Sequence, residues 1–246
     1  SSDVCSSDLA LARESTGVYF IPNPVDPSLL ARRPNTILNV PPKRSPQRIE
    51  LTTDRDIVER QYLIIDFDPV RFRPADESDP DAKVLLRRGP GQSIRELRAP
   101  LTPDQQKSPA TTEEIRFAQG IAQYVAADLV REGWAPPITM MSGNGIHLVF
   151  RLSSPLPYFP AEIDPLAELL RGLSARESIE GFLTVDKNTY TAARMLKVPG
   201  TMTRKGDEHP GRPYRRAEII EVPNGWDAQN AVGSAALDEA DREPSS

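Results

Sequence analysis

Tyr62-Leu63-Ile64-Ile65-Asp66-Phe67-Asp68-Pro69 is the stretch on which the reading of this chain turns. Four apolar or aromatic residues in succession predict a buried strand. Side chains alternate faces along a strand, so Asp66 and Asp68 are expected on one face. Pro69 has no amide hydrogen to give a ladder and marks the strand's end. Two carboxylates side by side repel unless something positive separates them. Mg²⁺ or Mn²⁺ suits such a pair, because these ions take oxygen ligands and often need only one or two carboxylates plus substrate phosphates. Alone, the pattern fits a solvated strand end equally well.

Composition narrows the classes. The 246 residues can hold one large domain or two small ones. Apolar content of 38% and 25 prolines imply that part of the chain is loop or disorder. No apolar run reaches the roughly 18 residues of a membrane span, so no membrane partner is expected. Net charge is −5, so any nucleic-acid role must rest on a local basic patch. One cysteine, Cys5, excludes a disulfide framework and a cysteine-type zinc site. Residues 1–9 resemble no processing signal. Asp3-Val4-Cys5-Ser6-Ser7-Asp8-Leu9 matches a sequencing adapter translated in frame (GAC GTG TGC TCT TCC GAT CT), so this segment is read as an artefact and set aside. The natural chain is then expected to begin upstream of Ala10.

Gly17-Val18-Tyr19-Phe20-Ile21 is a short β-type run, broken by Asn23-Pro24-Val25-Asp26-Pro27; Ser28 to Arg32 could start a short helix. Residues 41–48 form a basic, proline-rich connector. From Arg71 to Pro109 the chain is rich in Pro, Gly, Arg and Asp with little periodicity, and is expected to be a mobile insertion or lid; its Arg87-Arg88-Gly89-Pro90-Gly91 segment could touch a polyanion. Thr111 followed by Glu114 is a capping box. The helix it opens carries Ile115, Ala118, Ile121, Ala122, Val125, Leu129 and Val130 at three–four spacing, with Gly133 as its stop. Ile138 to Met141 and Ile146 to Leu152 read as a hairpin closed by Ser142-Gly143-Asn144-Gly145. Pro165 to Leu173 is a second amphipathic helix, with Leu166, Leu169, Leu170 and Leu173 inward. Thr184-Val185-Asp186 ends another short run, and Ala217 to Val222 is a last strand. Residues 223–246 read as a disordered acidic linker.

Three features point to one chemistry. The first is Asp66 with Asp68. The second is the glycine hairpin, whose backbone amides can approach an anion, with His147 beside it as a phosphate donor. The third is Asp186 followed by seven Lys or Arg residues between Arg194 and Arg216, which can contact phosphates. A lone strand histidine is more often structural, and a basic block is more often merely solvated. Their company here favours a site.

In order and spacing, Asp66-Phe67-Asp68, the hairpin ending in His147, and Asp186 resemble the three motifs of the archaeo-eukaryotic primase superfamily. The nearer likeness is to primase-polymerase domains of phages, plasmids and integrated elements. It is carried by Gly17-Val18-Tyr19-Phe20 with Asn23-Pro24-Val25, by Ser142 to Leu148, and by Ala192 to Thr201 with Arg204-Lys205-Gly206-Asp207. It runs from about Gly17 to Glu221. Gly145 departs from the pattern, standing where many members carry serine.

The resemblance implies an α+β fold: an RRM-like antiparallel-sheet catalytic core with flanking helices and an additional small N-terminal α/β unit, over residues 10–222. It implies template-directed nucleotidyl transfer from NTPs or dNTPs on single-stranded DNA, in replication of a phage or mobile element in the cytoplasm, with a helicase domain following the tail. Asp66, Asp68 and Asp186 would hold two divalent ions, Mg²⁺ or Mn²⁺. His147 would contact the triphosphate. Arg194, Lys197 and Lys205 would neutralise phosphates, and Ser142, Asn144, Gly145 and Thr201 would shape the nucleotide pocket. The competing reading is a replication-initiation domain that binds nucleic acid without catalysis. A rolling-circle endonuclease would need a paired-histidine metal motif, and His147 and His209 are far apart.

Overall fold

The computed structural model describes residues 17–29, 51–89, 92–102, 105–157, 159 and 162–226. The nine-residue opening, the continuation of the expected helix past Leu29, the 41–48 connector and the tail from 227 lie outside the described residues. The strands are β1 (Tyr19–Phe20), β2 (Arg60–Pro69), β3 (Phe72–Pro74), β4 (Lys83–Gly89), β5 (Gln92–Pro100), β6 (Ile138–Met141), β7 (Ile146–Leu156), β8 (Leu183–Val185), β9 (Leu196–Lys197), β10 (Met202–Thr203), β11 (Arg215–Arg216) and β12 (Glu218–Glu221). The helices are α1 (Thr112–Arg131) and α2 (Pro165–Glu177). The fold is α+β.

The main sheet has the order β12-β6-β7-β2-β8, with every pairing antiparallel. Alternation along β2 divides its residues between two environments. Leu63, Ile65 and Phe67 are buried in the large core with Ile115, Ala118, Ala122, Val125 and Leu129 of α1 and Leu166, Leu170 and Leu173 of α2. Ile64 belongs to a smaller cluster on the other face, with Met140, Val149 and Leu196. Thr189 donates its hydroxyl to the Ile64 carbonyl at 2.6 Å, satisfying a backbone acceptor in the strand's middle. Asp66 and Asp68 continue the same face beyond this cluster. Each large aliphatic side chain buried in the main core contributes about 1.5–3 kcal/mol, which fixes the register that sets the carboxylates opposite the helices.

Both helices start as their sequences predict. Thr111 accepts from the Glu114 amide at 3.1 Å, and Glu114 Oε2 accepts from the Thr111 amide at 2.8 Å. Asp164 caps α2 by accepting from the Leu166 amide at 3.0 Å, with Pro165 in the first turn. Gly133 has φ of 95° just past α1, the left-handed conformation a glycine stop provides. Of the residues expected inward, Val130 is instead 39% exposed.

Within residues 71–109, where the sequence shows little periodicity, β3, β5 and β4 form a three-stranded antiparallel sheet. The signal was a two-residue turn, with Gly89 paired to Gln92, between runs holding Val84, Leu85, Leu86 and Ile94. The arginines interrupting those runs obscured the alternation. At the N-terminus, β1 pairs with β9, placing Tyr19 opposite Lys197. The rest of the expected N-terminal unit, residues 30–50, lies outside the described residues.

Candidate active site

The β2–β7 register places Asp66 directly opposite His147, and directly opposed residues share a face. His147 Nε2 lies 3.2 Å from Asp66 Oδ1. Both side chains are buried, and Asp66 Oδ1 has no hydrogen-bond partner, so the contact is close but not an aligned hydrogen bond. Arg194 Nη2 lies 2.8 Å from Asp66 Oδ2 and 3.4 Å from Asp186 Oδ2. Asp186 is brought there by backbone: its amide donates to the Asp66 carbonyl at 2.9 Å, just past the end of β8. Residues 66, 147, 186 and 194 are thereby gathered at one end of the sheet.

Electrostatics sort the two β2 carboxyls. Desolvation acts to raise Asp66, but the His147 charge and then Arg194 outweigh it and hold its pKa below the ordinary carboxylate range. Desolvation likewise opposes ionisation of His147, and the Asp66 carboxylate reverses this, raising its pKa. Asp68 goes the other way. Desolvation and then repulsion from Asp66 push its carboxyl up to about 6, against the pull of Arg71, Lys205 and His147. Asp68 also keeps an exposed surface, so its charge is partly screened by solvent.

The hairpin is built by its own small residues. The Ser142 hydroxyl accepts from the Gly145 amide at 3.1 Å and donates to the Gly145 carbonyl at 3.2 Å, so it closes the turn. Gly143 has φ of 97°, and the Thr203 hydroxyl donates to the Ser142 carbonyl at 2.6 Å. Asn144 Oδ1 accepts from the Ala110 amide at 2.9 Å, tying the turn to the segment before α1, while its Nδ2 is buried without a partner. Gly145 is needed for space: a Cβ there would lie 2.8 Å from the Phe67 carbonyl and 3.1 Å from Asp68 Oδ1.

The basic block is dispersed. Arg194 reaches the carboxylates, and Lys205 acts electrostatically on Asp68. Lys197 is buried, with Nζ lacking a hydrogen-bond partner and lying 4.7 Å from the Tyr19 ring centre. Desolvation and then the Arg204 charge lower its pKa. The Thr201 hydroxyl donates to the Val198 carbonyl at 2.7 Å, inside its own turn. Arg212 is not available to a phosphate: it clamps Glu114 at 2.8 and 2.9 Å and donates to the carbonyls of Pro109 and Phe72. Arg215 likewise donates to Ala110 and Thr112, and Arg216 to Gly200. One residue missed from sequence is Arg71, whose charge acts on Asp68 and whose guanidinium donates to the carbonyls of Pro69 and Asn144. Its place immediately after the Asp-x-Asp strand was the available signal.

Among the described residues, no three or more His, Cys, Asp or Glu side chains are gathered as a metal site. The Arg194 guanidinium supplies the positive charge between Asp66 and Asp186. The donor set nonetheless suits a hard divalent cation. It offers carboxylate oxygens, a buried Asp66 Oδ1 without a hydrogen-bond partner, and a second carboxyl raised partly by repulsion from the first. No helix among the described residues is long and apolar enough to cross a membrane.

No protein family matches the chain, and no curated protein does. Among solved structures, the chain is similar to the polymerase domain from Mycobacterium tuberculosis Ligase D in complex with DNA. The likeness has 14% identity and a TM-score of 0.29, over 76% of this chain and 83% of that one. A superposition that loose carries no weight on function, which rests on the site itself.

Proposed function

We propose that this chain is a primase-polymerase domain that joins nucleotides on a single-stranded DNA template by metal-dependent nucleotidyl transfer. The supporting observation is the meeting of Asp66, His147, Asp186 and Arg194 at one sheet end, from positions up to 128 residues apart. The antiparallel sheet with helices on one face is in keeping with the RRM-like core of that superfamily. Asp66, Asp68 and Asp186 would hold two divalent ions, Mg²⁺ or Mn²⁺. Such ions, when bound, lower the pKa of an attacking hydroxyl and neutralise a leaving pyrophosphate.

The chain's own groups bind and orient. His147, whose pKa the Asp66 carboxylate raises, would offer an imidazole donor to a phosphate oxygen. Arg194 can exchange its carboxylate partners for phosphate, since a guanidinium fork fits either. Lys205, beside Asp68, adds a point charge, and Lys197 a second, partly desolvated one. Ser142, Gly145 and Thr201 shape the loops through internal hydrogen bonds, while Asn144 keeps one donor without a partner. The setting would be replication of a phage, plasmid or other mobile element in the cytoplasm, with a helicase domain as partner. A primer-synthesis assay with Mg²⁺ or Mn²⁺ tests the reading. Asp66→Ala is expected to abolish incorporation, and equal activity in variant and wild type would overturn the assignment.

One observation favours a second reading, a replication-initiation domain that binds nucleic acid without catalysis: Arg194 already neutralises Asp66 and Asp186. Nucleotide titration with and without Mn²⁺ separates the two, since the catalytic site requires metal-dependent binding.

A further inference from the structure

We infer that the β4–β5 ribbon is an arm that grips double-stranded nucleic acid beside the candidate active site. The inference rests on the nucleic-acid reading above only for its choice of partner.

Between Lys83 and Arg98 the ribbon carries five basic residues, Lys83, Arg87, Arg88, Arg95 and Arg98, against Glu96 alone, in a chain of net charge −5. One face is committed to the body of the protein. Leu85 is buried against Gly181, where an added Cβ would lie 2.4 Å from its Cδ1. Arg98 stacks over Phe182 at 4.3 Å and pairs with Glu96 at 2.7 Å. The other face is open: Val84 and Leu86 are 54% and 56% exposed, and the register sets Arg95 opposite Leu86. Arg95 is exposed there as well, and the register gives Arg88 a position on the same face, whereas the positions of Lys83, Arg87 and Arg98 alternate onto the face of Leu85.

The ribbon's dimensions and chemistry choose its occupant. Seven residues per strand give an arm roughly 20–25 Å long. A two-stranded ribbon of this kind enters the major groove of B-form DNA, and its arginines can reach phosphates on either side. Single strands are held by stacking bases on aromatic side chains, and residues 83–100 contain no Phe, Tyr or Trp. A polyanion with paired, inaccessible bases therefore fits better than an unpaired strand. The arm is rooted at the site. Phe72 in β3, three residues after Pro69, pairs with Pro100 of β5, and the Val70 amide donates to the Phe182 carbonyl at 2.9 Å. A duplex on the arm would therefore lie next to the Asp66–Asp68 strand.

The test is fluorescence anisotropy of the full chain with a labelled duplex and with one of its single strands, over a salt series. Each phosphate contact contributes about 0.9 to the slope of log affinity against log salt for a duplex. The double variant Arg88→Ser/Arg95→Ser is expected to reduce that slope by about 2 and to weaken duplex binding at least tenfold near 0.1 M salt. The matching Arg→Lys double variant should retain the slope, which separates lost charge from lost folding. An unchanged slope, a loss confined to the single strand, or binding to anionic lipid vesicles but not to duplex would each overturn the proposal. Asp66→Ala separates this inference from the catalytic one: it should lose incorporation while keeping duplex affinity.

Discussion

Replacing Asp68 by Asn should stabilise the metal-free protein above neutral pH, and the size of the gain follows from the site. Burial and the Asp66 carboxylate raise the Asp68 carboxyl to about 6, from an ordinary value near 4. At 1.36 kcal/mol per tenfold change in proton affinity, this corresponds to roughly 3 kcal/mol. Asp68 is exposed at its surface, so solvent screening reduces the figure to about 1 kcal/mol. The sign follows from linkage. Between about pH 4 and 6 the folded state holds a proton that the unfolded state has released, so stability falls as pH rises through that window. The penalty is absent below about pH 4 and complete above about pH 7. Urea unfolding in a chelator at pH 4 and pH 8 measures it: Asp68→Asn should match wild type at the lower pH and exceed it by about 1 kcal/mol at the higher. An equal gain at both, or a loss at pH 8, would refute the electrostatic account. Saturating Mn²⁺ should reverse the ranking, since ligand at 100 times its dissociation constant stabilises by about 2.7 kcal/mol and the variant lacks one carboxylate.

Gly145→Ala should cost about 1–3 kcal/mol, because its Cβ meets the Phe67 backbone carbonyl at 2.8 Å and backbone cannot swing aside; a thermal midpoint equal to wild type would mean β2 has room to move. Asp164→Ala should cost about 3–5 kcal/mol by leaving Arg60, a buried partner at 2.5 Å, uncompensated. Denaturant unfolding should find much of that loss recovered in the Arg60→Met/Asp164→Leu pair, and no recovery would contradict the charge-burial explanation. Arg212→Ala should destabilise by about 3 kcal/mol through the buried Glu114 it abandons, with nucleotide affinity unchanged in the folded fraction by isothermal titration. Weakened nucleotide binding at full stability would place Arg212 in the site after all.

What the sequence made legible was whatever is encoded locally. Thr111 with Glu114, Pro165 in a first helical turn, and a hairpin turn of Ser, Gly, Asn and Gly each specify a backbone shape within a few residues, and each forms as expected. Asp66 and Asp68 could be nominated because period-two alternation fixes a face, and His147 because it follows the glycine turn. The partners of a long side chain are set by tertiary packing instead. Arg194 and Arg212 look alike in the sequence, yet one meets the Asp66 and Asp186 carboxylates and the other a helix-capping glutamate. Arg71 was hidden for the same reason: nothing nearby in sequence says that its guanidinium closes on the Asn144 carbonyl, 73 residues on. The β3–β5 sheet was hidden differently, since basic residues interrupt an alternation that its two-residue turn would have supported.

The asymmetry between Asp66 and Asp68 bears on how the site would work. His147 and Arg194 hold the Asp66 pKa down, whereas Asp68 is left with the cost of standing beside Asp66. An arriving divalent ion therefore gains most at Asp68, where it removes repulsion. At Asp66 it must compete with Arg194, the one partner with a long, partly exposed side chain able to leave. A departing Arg194 would carry its charge towards the phosphates that accompany a nucleotide-bound ion. Metal and nucleotide would then be bound more tightly together than either alone, because each supplies what the other displaces: the ion replaces the guanidinium at the carboxylates, and the phosphates replace the carboxylates at the guanidinium. Arg194→Ala should break that coupling in a characteristic way, tightening Mn²⁺ binding in the absence of nucleotide while weakening nucleotide binding in its presence. Titration calorimetry of each ligand alone and together reads the difference directly, and parallel losses in both would place Arg194 outside the exchange.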